Sequence, residues 1–223
     1  MPYKRKVYQG MANPYKKRRV TTGRTRTSGF YGRYQPKGTE HKFLDTSFAQ
    51  ATVPTAGLIS YPSVNFVPQG AGESERVGRK VVLRNLLLRY VVVLNNTTSA
   101  GSTEDVVRTI VFLDKQCNGQ AATVTDILAT ANHLSFNNLA NKGRFSILCD
   151  QSTDINSNGA IAAGFGEKVE TRSKYLRLNH PIEFSGATGA ITEIRSNNIG
   201  ILIISKGANS LWNATVRIRY SDS

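Results

Sequence analysis

The sequence predicts an all-β protein, folded as an antiparallel sandwich or barrel, and two observations support this. Apolar and polar residues alternate with a period of two in several segments beyond residue 41, a pattern typical of strands with one buried face. These segments are joined by long polar connections and do not alternate with helical segments, which argues against a parallel α/β sheet.

Eight segments are predicted to be strands. Segment 80–94 is so dense in valine and leucine that both of its faces are expected to be covered. In 144–150, the alternation places Phe145, Ile147 and Cys149 on one face. In 175–184 the even-numbered residues share one face, and Pro181 indicates an edge or a bulge. The predicted strands are 41–53, 58–61, 80–94, 105–114, 144–150, 175–184, 199–205 and 211–220.

One short helix is predicted in the connection after the fourth strand. Thr123 is followed three residues later by Asp126, which is the spacing of a capping box. The apolar residues that follow it have helical spacing, so the helix is expected to lie on a sheet. These apolar residues are Val124, Ile127, Leu128 and Ala131.

The basic residues are concentrated at one end of the chain. The 223 residues include 29 Lys and Arg against 15 Asp and Glu, a formal net charge of +14. Residues 1–37 hold eleven of these cations and no carboxylate, whereas residues 38–223 come to only +3. We therefore divide the chain into a basic arm, 1–37, and a body, 38–223. The eleven cations are Lys4, Arg5, Lys6, Lys16, Lys17, Arg18, Arg19, Arg24, Arg26, Arg33 and Lys37.

The composition of the basic arm predicts that it binds single-stranded nucleic acid. Its cations can replace the counterions of phosphates, and its six aromatic residues can stack on unpaired bases. The alternative is that the arm's tyrosines pack beneath an edge of the body. Because its cations repel one another and little apolar surface is available, the arm alone is expected to be disordered. Two runs also have the composition of nuclear import signals: Lys4, Arg5, Lys6 and Lys16, Lys17, Arg18, Arg19.

No motif in the sequence indicates catalysis. A Walker loop, a Gly-x-Ser-x-Gly turn and zinc-ligand spacing are all missing from it. We predict a protein that is not an enzyme and has no cofactor and no metal. The alternative is a calcium site between subunits, built from Asp114, Asp150 and Asp154. The longest apolar run, 86–94, is too short for a helical membrane span, and the charged start predicts no secretory signal.

Three motifs carry a resemblance to known proteins. They are residues 75–80 (ERVGRK), which lead into a long strand, residues 108–119 (RTIVFLDKQCNG) and residues 144–150 (RFSILCD). In this order and spacing, behind a basic arm, they resemble the capsid proteins of small circular single-stranded DNA viruses that encode a replication initiator. The sequence is similar to the geminivirus coat protein group and to the satellite-tobacco-necrosis-virus-like capsids.

The resemblance implies a single antiparallel eight-stranded jelly roll, with two four-stranded sheets face to face, for the shell domain 38–223. It implies assembly into a small icosahedral capsid of about 60 copies, with the basic arm inside and holding a single-stranded DNA genome. RNA is left open as the cargo. The protein is then expected in the virion and, through the host import machinery, in the host nucleus. Arg217 and Arg219 are candidates for a cationic inner wall, and equally for an outward or interface-facing side of the last strand.

Two other functions stay open at the level of the sequence. A β-barrel protein that binds single-stranded nucleic acid, or acts as a chaperone, and forms no shell would carry the same basic arm. A β-sandwich hydrolase would need a site assembled from scattered acids and the three histidines, His41, His133 and His180. Particle size separates the capsid from the first of these, and only loss of an activity on replacing a histidine would support the second.

Overall fold

The computed structural model describes residues 41–94, 104–156 and 168–222. Within these ranges no helix is long and apolar enough to cross a membrane. Two single 3-10 turns, Leu139–Asn141 and Ile191–Glu193, lie in connections. The main elements are β1 (His41–Thr52), β2 (Leu58–Tyr61), β3 (Lys80–Leu94), β4 (Glu104–Asp114), α1 (Val124–Ile127), β5 (Phe145–Asn156), β6 (Val169–Phe184), β7 (Ile194–Ser196), β8 (Asn198–Ser205) and β9 (Ser210–Asp222).

The strands form two antiparallel sheets with jelly-roll connectivity. One sheet has the strand order β1-β9-β3-β6-β7 and the other β2-β8-β4-β5. The chain repeatedly crosses between them, since β1, β3, β6 and β9 share one sheet and β2, β4, β5 and β8 the other. The prediction of an all-β antiparallel jelly roll is confirmed.

The core fills the space between the two sheets. The inward residues of β3 and β9, such as Leu86 and Ile218, are completely buried. Trp212, which is 1% exposed, stacks between Phe48 and Tyr90 at ring-centroid distances of 6.4 and 6.1 Å. Along β6 and β9 the predicted alternation holds, because only one face of each strand meets this core.

The two sheets differ in size, which the prediction of two four-stranded sheets missed. The three-residue strand β7 extends the edge of the first sheet, where Ile194 pairs with Phe184 and Ser196 with Glu183. Asn197 then adopts a left-handed conformation, with φ of 58°. This turn redirects the chain, so that β8 begins at the next residue in the opposite sheet. The prediction placed one strand here, at 199–205, and assigned no strand to the residues of β7.

Strand β3 is buried on one face only, contrary to the prediction. Residues 81, 83, 86, 88, 90, 92 and 94 are buried, whereas the residues between them are half-buried or exposed. No described element covers the outer face of this sheet. The apolar density of the segment therefore reflects both the core and a partly solvent-facing surface.

A β-bulge overturns the predicted face of β5. Pairing with β4 shifts register where Phe112 is opposite Ile147 and Val111 is opposite Cys149, which leaves Leu148 as the additional residue. As a result, Phe145 and Ile147 pack on the outer side of the sheet while Cys149 packs against the central core. These three residues do not share one face, because the bulge reverses the alternation between them.

The outer face of the four-stranded sheet is covered by the connection that contains α1. Ile127 and Leu128 pack over Ile110, Phe112 and neighbouring residues in a second apolar cluster. The prediction of a capped helix lying on a sheet is confirmed: the Thr123 amide donates to Asp126 Oδ2 at 2.8 Å. The helix ends earlier than its apolar spacing suggested, since Leu128 is already extended and bridges to Asn137.

Candidate assembly and nucleic-acid surfaces

The residues predicted to bind nucleic acid and to direct nuclear import lie outside the described ranges. Their roles, and the domain boundary after residue 37, therefore stay predictions. These residues are Lys4, Arg5, Lys6, Lys16, Lys17, Arg18, Arg19, Arg24, Arg26, Arg33 and Lys37.

Three large apolar side chains project into solvent from the connection between α1 and β5. Leu134 is 78% exposed, Phe136 87% and Leu139 76%. We call these three residues the apolar loop patch. Three large apolar side chains this exposed within six residues are typical of protein-contact surfaces on soluble proteins. The segment lies in one of the long polar connections, 132–143, which are candidate interface elements at the level of the sequence. Its three large apolar residues among asparagines were not recognised there, although they are visible in the sequence.

Hydrogen bonds hold the backbone beneath the apolar loop patch. Arg108 Nη1 donates to the carbonyl oxygens of His133 and Ser135 at 3.0 and 2.6 Å. The same guanidinium forms a two-point ion pair with Asp150 at 2.8 and 2.6 Å. Asn138 Nδ2 donates to the Thr125 carbonyl at 2.8 Å, which ties the loop to α1. The patch is therefore presented on a preorganised backbone, which lowers the entropic cost of docking.

The motif at residues 108–119 builds the turn that follows β4. Asp114, which is completely buried, accepts from Arg144 Nε and Nη2 at 2.9 and 2.7 Å. Gly119 has φ of 76°, and a Cβ there would lie 2.7 Å from the Thr192 carbonyl oxygen, so only glycine fits. Burial raises the pKa of the adjacent Cys117 thiol, which donates to the Ile194 carbonyl. The motif thus has a structural role.

The motif at residues 75–80 contains a buried arginine. Arg76 is completely buried and donates to the carbonyl oxygens of Val67 at 3.1 Å, Gly78 at 2.6 Å, and Gly186. Its guanidinium carbon lies 4.3 Å from the centroid of the Phe184 ring. Burial lowers the pKa of Arg76. The side chain joins the connection before β3 to the end of β6.

The candidate catalytic and metal-binding groups are not brought together among the described residues. The three histidines lie on β1, on the loop after α1 and on β6. The carboxylates of Asp114 and Asp150 each hold an arginine. Within the described ranges no three His, Cys, Asp or Glu residues are grouped to hold a metal ion.

Arg217 and Arg219 point away from the core, as the alternation in β9 predicted. They lie on the outer face of the five-stranded sheet. Pairing with β3 and β6 places further arginines on that face, which sequence reasoning missed because the register was unknown.

Comparison with known proteins identifies a family of coat proteins. The family model described as satellite tobacco necrosis virus coat protein matches residues 21–223. The coat protein of Maize white line mosaic Satellite virus is 32% identical over 173 residues, which cover 74% of this chain and 72% of that protein. These matches support the satellite-virus part of the resemblance, and they do not support the geminivirus or single-stranded DNA virus group.

Solved structures that align with the chain are much more distant. The infectious bursal disease virus VP2 subviral particle aligns over 82% of this chain and 33% of that chain, with 6% identity and a TM-score of 0.26. For the Gx strain of that virus the coverage is 82% and 32%, the identity 10% and the TM-score 0.25. The chain spans about a third of those chains, and TM-scores this low carry no weight for the fold or assembly.

The family match covers the whole body and part of the basic arm, and it agrees with the jelly roll of the described residues. It assigns a structural role in the virion. The chain belongs to the satellite tobacco necrosis virus coat protein family and is a capsid protein.

Proposed function

We propose that this capsid protein assembles into a closed icosahedral shell of about 60 copies and packages a single-stranded genome through its basic arm. The body forms the wall and the arm projects into the lumen. The observation that carries the wall function is the apolar loop patch, with Phe136 87% exposed on a fixed loop.

Self-association follows from the physical chemistry of that patch. Burying a large apolar side chain on a partner contributes about 1.5–3 kcal/mol. A side chain held in water by ordered backbone recovers this free energy only when another molecule covers it. A closed shell supplies such a cover to every copy, because each subunit meets its neighbours through equivalent contacts.

Genome binding by the arm is supported by the partition of charge. Eleven cations without a carboxylate precede a body of net charge +3. Replacing condensed counterions on a polynucleotide makes such binding favourable at low salt and weak at high salt. The proposed cargo is single-stranded DNA. Since counterion release acts on either polynucleotide, oligothymidylate and oligouridylate of equal length are compared in the test.

Assembly is tested with Phe136→Ser in the full chain, and Val77→Ser, 64% exposed in another loop, serves as the control. Analytical ultracentrifugation and negative-stain microscopy should show megadalton particles for the native chain and the control, and a shift toward subunits for Phe136→Ser. If the native chain stays a monomer or small oligomer with nucleic acid present, it forms no shell and acts as a single-strand binding protein.

Arm function is tested by deleting residues 1–37. The remaining body should lose most of its affinity for either oligonucleotide at a fixed salt concentration. Equal affinity of the truncated and full-length chains would refute genome binding by the arm.

We also propose that the arm directs nuclear import. Replacing the run Lys16, Lys17, Arg18 and Arg19 by alanine should then reduce nuclear accumulation in a host cell. Unchanged accumulation would remove this part of the proposal.

A further inference from the structure

The outer face of the five-stranded sheet carries an excess of positive charge. Outward-pointing side chains on β1, β9, β3 and β6 include six cations and two carboxylates, a net charge of +4. The whole of residues 38–223 comes to +3, so the rest of the body is at −1. We call the arginines of this surface the cationic face. They are Arg84, Arg89, Arg177, Arg217 and Arg219.

Strand register sets these arginines in a compact array. Arg219 is paired with Asn85 of β3, which is paired in turn with Arg177 of β6. One step along, Arg217 is opposite Leu87, and Arg89 lies two residues further along the same outer side of β3. Neighbouring strands are about 4.8 Å apart, and residues two apart on a strand about 6.8 Å. The cations are thus spread over three adjacent strands, β9, β3 and β6.

Few of these cations are neutralised. Arg217 forms a two-point ion pair with Asp45, at 2.6 Å for both contacts. Arg84 donates to two neutral acceptors, Ser221 Oγ at 3.2 Å and Asn179 Oδ1 at 2.9 Å. Arg89, Arg177 and Arg219 are exposed and form no ion pair with another described residue.

Cations associated with the other sheet are mostly paired. Arg108 and Arg144 hold Asp150 and Asp114, and Lys206 holds Glu104 at 2.8 Å. The outer face of that sheet is also covered by α1 and its connection. Of the two sheets, the five-stranded one is therefore the sheet whose outer face is open among the described residues and carries arginines without ion-pair partners there.

Aromatic rings accompany the arginines. Phe43 is 42% exposed and Tyr175 54% exposed, on the two strands that flank β9 and β3. The Arg217 guanidinium carbon lies 5.3 Å from the Phe43 ring centroid. A shallow cavity of about 140 Å³ on this face is lined by Asp45, Leu87, Arg89, Thr215 and Arg217. Rings beside arginines suit unpaired bases beside phosphates.

We propose that the cationic face is a second binding surface for single-stranded nucleic acid, which it contacts through phosphates, and that this face is turned toward the lumen. The inference rests on the proposed function, since it requires a shell around a genome. A second copy of the chain is a poorer occupant, because the rest of the body carries a net charge of only −1 and offers little complementary charge.

The test uses the full chain with Arg89→Gln, Arg177→Gln and Arg219→Gln together. A matched control removes the same charge from exposed residues that lie outside this sheet, through Lys115→Gln, Lys142→Gln and Lys206→Gln. Affinity for oligothymidylate and oligouridylate is measured over a range of salt concentrations. Each phosphate contact on a single strand contributes about 0.7 to the slope of log affinity against log salt, so the slope should fall by about 2 in the arginine variant.

The control variant should keep the native slope, and Arg89→Lys, Arg177→Lys and Arg219→Lys together should restore it. Equal slopes for the glutamine variant and the control would overturn the inference. So would loss of assembly without nucleic acid in the glutamine variant at an unchanged slope, which would make the face an interface between copies. Both outcomes leave the arm deletion as a separate test of genome binding.

Discussion

The two sheets of this jelly roll share one core but differ in what covers their outer faces. On the four-stranded sheet, Ile127 and Leu128 close a second apolar cluster over Ile110 and Phe112. On the five-stranded sheet, the outer residues of β3 and β9 meet solvent and include uncompensated arginines. Among the described residues, the chain covers the outer face of one sheet and leaves that of the other open.

The difference in cover between the two sheets is matched by the burial patterns of their strands. Strand β8, in the middle of the covered sheet, is buried at all eight positions. Strand β9, in the middle of the uncovered sheet, alternates from residue 214 to residue 220. The burial of these two strands therefore matches the cover of their sheets, whereas β3 shows that a dense apolar run can also lie in a sheet with one open face.

The largest expected effect is on the covered side. Phe112→Ala should lower the free energy of unfolding by about 3–5 kcal/mol, because a completely buried ring that packs edge-on against Phe145 is lost. Leu87→Ala, half-buried on the outer face of the other sheet, should cost about 1 kcal/mol or less. Urea unfolding followed by the fluorescence of the sole tryptophan, Trp212, measures both. If both variants lose the same free energy of unfolding, the outer faces of the two sheets do not differ in burial as described.

The second largest loss of stability is expected where β8 lies close to β4, at Gly200. A Cβ at Gly200 would lie 2.4 Å from Phe112 Cζ, so Gly200→Ala must displace the ring. We expect a loss of about 1–3 kcal/mol in the free energy of unfolding. In a Phe112→Leu background the loss should be smaller, since the ring is gone. If Gly200→Ala costs the same in both backgrounds, its destabilisation does not come from contact with the Phe112 ring.

The capping box that fixes α1 over the four-stranded sheet should contribute less to the free energy of unfolding. Asp126 Oδ2 accepts from both the amide and the hydroxyl of Thr123, each at 2.8 Å. Asp126→Ala should cost about 1 kcal/mol in urea unfolding, because the first turn of α1 loses its cap. Asp126→Asn keeps an acceptor oxygen and should cost less. If the two variants are equally destabilised, the charge rather than the hydrogen bond stabilises the turn.

The smallest effect is expected on the open face. The hydrogen bond from Arg217 holds the pKa of Asp45 below its ordinary value of 3.8, more than burial raises it. A lowered carboxyl pKa adds stability above that ordinary value, and the contribution is lost as the pH falls below it. Asp45→Asn should therefore lower Tm slightly at neutral pH, and the difference from the native chain should vanish in acid. If the difference in Tm between the two chains grows as the pH falls, the pKa of Asp45 is not lowered by Arg217.

Much of the fold followed from local patterns. The bounds of β2 and β3 agree with their predicted segments, and the capping box at Thr123 and Asp126 lies where it was expected. Three features did not follow: the strand β7, the bulge at Leu148 and the open face of β3. Each depends on a partner distant in sequence, which periodicity does not report.

The candidate functional surfaces also include some that the sequence predicted and some that it did not. A basic arm and a near-neutral body could be distinguished from composition alone. The apolar residues of the loop patch are visible in the sequence, but their exposure is not, because it depends on what packs around the loop. The cationic face depends on the register of its strands, which the sequence does not show.

The sequence by itself determined where most of the strands and the helix form, since alternation, helical spacing and capping act between residues a few positions apart. Only the tertiary structure decided which sheet face is covered and which arginines lie side by side. The cover comes from a connection that is remote in sequence, and the arginine array comes from the register of three strands that are far apart in the chain.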